Sequence, residues 1–505
     1  MTNEPFRNKA FDGLRHLYPP EGKVLDPTAP LVHSFKISNE LAHPQLLAFP
    51  RFIKENLSFG QLPGISMGPM EAFASAGGHY VEFAAGPPRR SYEAHVRMYL
   101  ERPIVVELRS SLGRDEAFDK QLENVLLMIT QFYEEEVRKS TIYMTFLPGS
   151  PKTAEVGRQF SLLRTIFSGN LLNLFLLSIL IGIFLFSIFG NIAPILMIVL
   201  MIALVLSAGR LSAWRSPWRI TKTAREIVIV QQKVPEGELQ NYSTTYRDML
   251  KAAKHKAYET FSSCPDAVCA DKMAGIFREA GLPAKDEDFI VRRIDVYGIV
   301  ERVAAKFDLS VPAIVITSQP KPNAAATGFT RNLATMLITL GLLVQLDEEE
   351  IELVVGHELS HLRSGDPIVL FSLVAAEYLA RVYVLWMYIG SFWLFYLLFV
   401  FWGIFFFGKF LESRADLEAA LVLGKPKVMA ESLKKIGFRR LVLEERFLEP
   451  EASRFGEWMR FDPHPPLYFR IQRLESLDLA NPPRHPFLSS IRAVASGFVH
   501  SGRAR

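Results

Sequence analysis

The chain has 505 residues, of which 49% are hydrophobic, and its formal net charge is +4. This length allows two or three domains, and the small net charge argues against a nucleic-acid partner. The two cysteines, Cys264 and Cys269, argue against a disulfide-held fold and favour ordinary thiols over a redox pair. The mean hydropathy of +0.14 is high for a soluble protein, because two long blocks are strongly apolar.

Residues 1–165 form a region predicted to be soluble and mixed α/β. Strands are expected at Pro103–Leu108 and Thr141–Leu147, and a helix at Asp115–Lys139. The first residues lack the apolar core of a signal peptide. We find no metal or nucleophile motif in this region, so it is read equally as a recognition or regulatory module and as scaffolding.

The first apolar block runs from Leu171 to Ala208. A single helix of that length would measure about 57 Å, far more than a hydrocarbon core of about 30 Å. Gly190, Asn191 and Pro194 interrupt the block near its middle, which predicts a hairpin of two membrane helices near 171–189 and 193–208. A buried hairpin in a soluble protein is the alternative.

Both flanks of this block are basic, which by the positive-inside tendency places both of them in the cytoplasm. The basic residues are Arg158 and Arg164 before the block, and Arg210, Arg215, Arg219, Lys222 and Arg225 after it. Residues 211–293 are polar and predicted to be mostly helical. A helix ending at Phe307 and three strands, Ala313–Thr317, Asn323–Phe329 and Ala334–Ile338, should follow.

His357, Glu358 and His361 lie in the segment H-E-L-S-H, which contains the only pair of histidines spaced by four in the chain. Asp347 and Glu350 predict a capping box before it, and Gly365 predicts the end of the helix. Histidines at i and i+4 share one helix face and can bind one Zn²⁺, with the glutamate placed as a general base. The alternative is a surface helix that carries two histidines by chance.

A second apolar block, Ile368 to Phe407, follows directly. A catalytic zinc needs three protein ligands, and the next polar segment, E-S-R-A-D, offers Glu412 as the third. Asp416, one helical turn later, is a candidate partner for a zinc-binding histidine. Because Glu412 must lie on the same side of the membrane as the histidines, the block should cross twice, near 368–389 and 391–408. The tail after Asn481 is expected to be loosely held.

The sequence resembles the M48 family of membrane metallopeptidases in four successive segments, over roughly residues 294–473. They are P-N-A-A-A-T-G at Pro322–Gly328, H-E-L-S-H with Gly365 and Asp366, E-S-R-A-D at Glu412–Asp416, and H-P-P-L-Y-F-R-I at His464–Ile471. Four membrane helices resemble the HtpX branch of the family more closely than the longer branch that processes CAAX-prenyl proteins.

The resemblance implies roles that spacing does not give. His464 would stabilise the tetrahedral intermediate, and Arg470 would orient groups around the metal. The segment that includes Asn323, Ala324, Ala325 and Ala326 would be an edge strand that binds an extended substrate, with Asn323 helping to hold the peptide or its oxyanion. With Glu358 as catalytic base and His357, His361 and Glu412 as ligands, one Zn²⁺ per chain is expected.

The predicted fold is α+β and predominantly helical, with a gluzincin-type metalloprotease domain containing a small sheet and about four transmembrane helices in two hairpins. The predicted divisions are 1–165, a soluble region; 166–210, a membrane hairpin; 211–367, the first part of the protease domain; 368–408, a second hairpin; and 409–505, the rest of the protease domain.

The predicted function is zinc-dependent endoproteolysis of membrane or misfolded proteins, in the inner membrane and facing the cytoplasm. The expected partners are peptide substrates and the lipid bilayer, with no nucleic acid. Two alternatives stay open at this point: processing of prenylated C-termini, and a non-catalytic metal-binding membrane scaffold. The sequence does not give the oligomeric state.

Overall fold

The fold is taken from a computed structural model, and its helices and strands divide into two compact units. The first contains residues 1–146 and 228–293, and the second contains residues 147–227 and 294–505. The structure describes residues 29–56, 65–68, 70–75, 78–87, 93–147, 171–203, 218–234, 238, 241–242, 244–261, 267–328, 334–446 and 452–503.

An antiparallel sheet of six strands dominates the first unit. Its strands are β1 (Leu31–Ile37), β2 (Ser66–Met67), β3 (Glu71–Ser75), β4 (Gly78–Gly86), β5 (Ala94–Tyr99) and β6 (Ile104–Arg109). The order is β1-β6-β5-β4-β2, with β3 also paired to β4. Helix α1 (His43–Asn56) packs through Phe49 and Phe52 on Tyr133 of α2 (Glu116–Lys139). The predicted strand at 103–108 and the helix at 115–139 are thus confirmed to within one residue at each end.

A second sheet of the first unit combines distant parts of the chain. It has the order β10-β9-β7, where β7 is Thr141–Phe146, β9 is Glu226–Lys233 and β10 is Phe289–Asp295. Helices α5 (Arg247–Phe261) and α6 (Ala270–Glu279) contribute to the core beside it. The expectation of mostly helix over 211–293 is wrong at β9 and β10. Because β9 pairs with β7, residues 228–293 group with the N-terminal part of the chain. The domain divisions expected from the sequence stay a prediction.

The second unit contains a four-stranded sheet of order β12-β13-β11-β8. Its strands are β8 (Arg219–Ile220), β11 (Ala313–Thr317), β12 (Ala324–Thr327) and β13 (Thr335–Thr339). Strand β12 runs antiparallel to β13 and forms one edge of the sheet. Helices α7 (Val296–Lys306), α8 (Leu340–Gln345) and α9 (Glu348–Ser364) complete this part.

The first apolar block forms α3 (Leu171–Phe189), a 3-10 turn (Gly190–Ile192) and α4, residues 193–203. A β-carbon on Gly182 would lie 3.8 Å from Met197 Cε, whereas a straight helix would separate these residues by about 22 Å. The chain therefore reverses at Gly190, whose φ of 54° suits glycine. The predicted residues 204–208 lie outside the described part of the chain.

The second apolar block also reverses. It comprises α10 (Asp366–Ala380), a π-helical turn (Arg381–Leu385), α11 (Trp386–Ile389), a 3-10 turn (Gly390–Phe392) and α12 (Trp393–Leu423). The Tyr396 hydroxyl donates to Glu377 Oε1 at 3.2 Å, and Arg381 Nε donates to the same oxygen at 2.8 Å, so the two arms lie side by side. The second membrane helix is predicted near 391–408. That helix, which the sequence predicts to end before Glu412, continues as α12 through Glu412 to Gly424, whose φ is 72°.

Among the residues that the structure describes, three stretches are long and apolar enough to cross a membrane: Leu180–Ala203, Asp366–Leu385 and Trp393–Leu423. The first of them contains the reversal at Gly190. The expected count of four crossings stays a prediction.

The C-terminal residues form four helices: α13 (Pro426–Arg446), α14 (Ala452–Met459), α15 (Leu467–Glu475) and α16 (Pro486–Arg503). The expectation of a loose tail is wrong, because α16 packs closely. A β-carbon on Gly497 would lie 2.8 Å from the buried Trp458 ring, and Phe498 lies edge-on to Phe406 with 5.1 Å between ring centroids.

Candidate metal centre

Three side chains from two helices meet at one point. His357 and His361 project from one face of α9, and their Nε2 atoms lie 3.1 Å apart. Glu412, on α12, places one carboxylate oxygen 3.3 Å from His357 Nε2 and the other 3.5 Å from His361 Nε2. The apolar hairpin between the histidines and Glu412 therefore brings the chain back beside His357 and His361.

The helix that carries the two histidines forms as its local signals predict. The Asp347 side chain accepts from the Glu350 N–H, and the Glu350 side chain accepts from the Asp347 N–H. The helix ends at Gly365, which has a φ of 71°. Its apolar side chains at helical spacing are buried: Ile351, Val354, Val355, Leu359 and Leu362.

These ligand atoms fit a zinc ion. A tetrahedral zinc with bonds of about 2.0–2.1 Å requires ligand atoms about 3.3 Å apart, close to the three distances above. Glu412 Oε2 is buried and, despite its position, accepts no hydrogen bond from the described residues. A cation at the centre would satisfy it. His357, His361 and Glu412 could therefore hold one metal ion.

The second nitrogen of His357 faces an acid that is itself held in place. Asp416 Oδ1 lies 2.9 Å from His357 Nδ1. Arg470 donates to both Asp416 oxygens, from Nε and from Nη2, at 2.7 Å each. This bidentate pair fixes the carboxylate and through it the orientation of the imidazole. Asp416 and Arg470 thus lie where the sequence analysis placed them, beside the candidate metal ligands.

His361 has an equivalent arrangement, which the sequence analysis missed. Asp366 Oδ2 lies 2.7 Å from His361 Nδ1, and Arg414 Nη2 donates to the same oxygen at 2.6 Å. Asp366 was named from the sequence only as part of a segment that resembles family M48. Its position five residues after His361, just past Gly365, was a signal that it could turn back toward the imidazole.

His464 repeats the pattern a third time from the loop before α15. Its Nε2 lies 3.4 Å from Glu412 Oε2, and its Nδ1 lies 2.8 Å from Asp462 Oδ1. Arg440 Nη1 donates to the other Asp462 oxygen at 2.7 Å. The side chain of His464 is 45% exposed, so it lines the open side of the site. Asp462, two residues before His464, was also missed.

Glu358 lies between the metal ligands and the edge strand. Its Oε2 accepts a hydrogen bond from the Ala326 N–H at 2.9 Å. Burial raises the pKa of Glu358, and His357 and His361 partly offset this effect. The carboxyl group is thereby a better proton acceptor than an exposed glutamate, as a general base requires.

The edge strand β12 presents alternate residues away from its neighbour. Asn323 faces β13, since its N–H donates to Thr339 Oγ1 at 2.8 Å and its carbonyl accepts from the Thr339 N–H at 3.0 Å. By alternation Ala325 also faces β13, whereas Ala324 and Ala326 turn their main-chain groups toward the site. Asn323 contacts Thr339 through its main chain, so its predicted role toward an oxyanion stays a prediction.

The site favours a positive charge at its centre. Burial alone would lower the pKa of His357, but its contacts with Asp416 and Glu412 outweigh burial and raise the pKa to about 10. The same carboxylates that hold a proton on His357 would attract a metal cation once the imidazole is neutral.

Comparison with known proteins points to one family. The model of peptidase family M48 matches residues 292–478, which include every site residue described above. A protease HtpX homolog of Moorella thermoacetica is 29% identical over 222 residues, covering 36% of this chain and 72% of that protein. One of Neisseria meningitidis is 30% identical over 198 residues, covering 35% and 71%. Protease HtpX of Nitrosococcus oceani is 42% identical over 71 residues, covering 14% and 24%.

Proposed function

Because the chain belongs to peptidase family M48, we propose that it is a zinc-dependent endopeptidase anchored in a membrane. One observation carries the proposal. The ligand atoms of His357, His361 and Glu412 lie within 4.8 Å of one another, although a membrane-like hairpin separates them in the chain. The site has three protein ligands and an open side, the arrangement of a catalytic rather than a structural zinc.

The chemistry divides among named residues. Zinc, when bound, polarises a carbonyl group and lowers the pKa of water. Glu358 accepts the proton of the attacking water on its carboxylate and delivers it to the leaving amine. His464 donates from Nε2 to the oxyanion that develops at the scissile carbon. Asp416 and Asp366 hold the two imidazoles, so the site does not need to reorganise during the reaction.

The edge strand supports a peptide as substrate. Ala324 and Ala326 offer main-chain groups to an extended segment, which would lie beside β12 as an added strand. The Ala326 N–H now contacts Glu358, which places this strand directly beside the catalytic base. Main-chain pairing recognises backbone rather than side chains, so broad sequence tolerance is expected.

The neighbouring apolar helices support a membrane setting. Asp366, which contacts His361, opens a helical stretch suited to crossing a membrane, and Glu412 lies on another. A site so close to the bilayer suits membrane proteins or misfolded chains at its surface. The basic flanks of the first apolar block support an inner-membrane location with the site facing the cytoplasm.

Replacing Glu358 with Gln tests the proposal. The variant should retain zinc but hydrolyse an unfolded reporter such as casein at least about a hundredfold more slowly, because the general base is lost. Glu348→Gln, on an exposed position of the same helix, is the matched control and should keep full activity. Undiminished turnover by Glu358→Gln would refute the assigned base.

A chelator experiment separates the proposed function from its rivals. Cleavage of casein that stops with a chelator and returns with Zn²⁺ supports the endopeptidase. Cleavage of a prenylated peptide alone, with casein untouched, would instead indicate processing of modified C-termini. Zinc binding without cleavage of either substrate would indicate a non-catalytic scaffold.

A further inference from the structure

Lys409 is a fully buried lysine on α12, one helical turn before Glu412. Its exposed fraction is 0%. Its ammonium group donates to the carbonyl of Arg460 at 3.4 Å, to that of His464 at 3.3 Å, and also to that of Asp462. Lysine carries three N–H donors, so its capacity is matched by three carbonyls of a single short loop.

Burying a charged ammonium is costly unless it is well compensated, and here the compensation comes from main-chain carbonyl dipoles. Such a contact depends on the path of the backbone rather than on side-chain identity. Lys409 therefore restrains the course of residues 460–464, the loop that presents His464 to the site. We call these residues the His464 loop.

The His464 loop follows one face of α12 closely. Phe461 lies edge-on to Phe405, with 6.2 Å between ring centroids. A β-carbon on Gly408 would stand only 2.8 Å from Pro463 Cβ, so the absence of a side chain there allows close approach. His464 then contacts Glu412 at the end of this face.

The spacing of these α12 residues explains why the His464 loop runs along one face of the helix. Residues 405, 408, 409 and 412 recur at intervals of three and four and thus share one side of a helix. The helix that supplies the third candidate ligand therefore also sets the position of the loop.

We propose that Lys409 is a positioning residue that holds His464 at the distance from which its Nε2 reaches the developing oxyanion. The inference rests on the proposed endopeptidase function for its consequence, but its structural part is independent of it. Asp462 and Arg440 set the rotation of the imidazole, whereas Lys409 sets the place of the main chain that carries it.

The structural part is tested by hydrogen exchange on the full chain in detergent. Lys409→Met keeps the aliphatic stem and removes the donors. The amides of the non-proline residues in 460–464 should exchange at least about tenfold faster than in the wild type, while those of α9 stay unchanged. Lys434→Met is the matched control, since Lys434 is also buried but pairs with Glu475 at 2.9 Å. Unchanged exchange of the loop in Lys409→Met would overturn the proposal, whether or not the chain is a peptidase.

The functional part is tested by a double-mutant cycle. Lys409→Met should lower kcat by about tenfold to a hundredfold with little change in KM and zinc content, because a misplaced oxyanion donor affects mainly the transition state. In a His464→Ala background the same substitution should cost no further activity. Fully multiplicative losses would show that Lys409 acts elsewhere, and Lys409→Arg should restore part of the rate. An inactive wild type would instead refute the proposed function and leave the exchange result to decide the structural part.

Discussion

Two regions of the molecule bury several charged groups, and they use them differently. In the first unit, Arg138 donates to Glu40 and, at 3.4 Å, to Glu134, while Lys233 lies nearby with 2% exposure. Burial lowers the pKa of Lys233, and the two glutamates partly offset this effect. In the candidate metal centre, the two imidazoles and Glu412 converge on a common point. The outer nitrogens of His357 and His361 contact Asp416 and Asp366.

The two regions differ in the source of the positive charge that balances their carboxylates. Arg138 donates to both carboxylates and Lys233 lies near them, so this cluster already contains cationic side chains of its own. The atoms His357 Nε2, His361 Nε2 and one oxygen of Glu412 are mutual neighbours that can all act as ligands. Burial of charge alone therefore does not mark a metal site. A metal site is marked instead by ligand atoms that converge on one point, with neighbouring residues that hold the ligands in place.

Removing the third candidate ligand should cause the largest loss of zinc affinity. Glu412→Ala leaves two imidazoles, and a catalytic zinc needs three protein ligands. Zinc affinity should fall by more than the roughly 10–100-fold that the loss of an outer partner costs. Competition with a chromogenic chelator measures it. If the variant kept wild-type zinc affinity, Glu412 would not be a zinc ligand.

Removing an outer partner should give a smaller loss. Asp366→Ala frees His361 Nδ1 and leaves Arg414 without this carboxylate, so zinc affinity should fall about 10–100-fold. Asp366→Asn should recover part of this loss, because an amide oxygen can still accept a hydrogen bond from Nδ1. An unchanged affinity in Asp366→Ala would show that its contact with His361 has no role in metal binding.

The pH dependence sharpens the comparison further. His357 has a pKa of about 10 in the metal-free site, so its imidazole is protonated below that pH and must lose the proton to bind zinc. Apparent zinc affinity should therefore rise about tenfold for each pH unit between 7 and 9. Dissociation constants at pH 7, 8 and 9, corrected for protonation of the competing chelator, check this. A zinc affinity that does not change with pH would contradict the protonation of His357 in the metal-free site.

The cluster in the first unit should behave in the opposite way. Arg138→Met leaves Glu40 and Glu134 without their buried partner, which should lower the free energy of unfolding by about 3–5 kcal/mol. Zinc affinity should stay within about twofold of wild type, since the cluster supplies no ligand to the site. Chemical denaturation in detergent and zinc titration give the two values. A large loss of zinc affinity under conditions where the variant is still folded would show that the two regions are coupled.

Much of the candidate site could be predicted from local sequence. The spacing of His357 and His361, the capping residues before them and the stop at Gly365 depend on the geometry of one helix, and the structure reproduces them. The strand Ala313–Thr317 was predicted with the bounds that it has, because its short apolar run follows Pro312 and precedes the polar residues Ser318 and Gln319. The hairpin between the histidines and Glu412 followed from hydropathy combined with the demand for a third ligand.

The partners of these residues were decided by tertiary structure. Arg414 and Arg440 reach Asp366 and Asp462 only because separate helices and loops pack together, and no spacing within one element encodes such contacts. Likewise β9 pairs with β7 across more than eighty residues, and α16 is ordered by Trp458 and Phe406 rather than by its own sequence. The sequence alone determined which atoms can bind a metal, since helix periodicity is local. Only the packed chain determined what holds those atoms in place, since that depends on contacts between residues far apart in sequence.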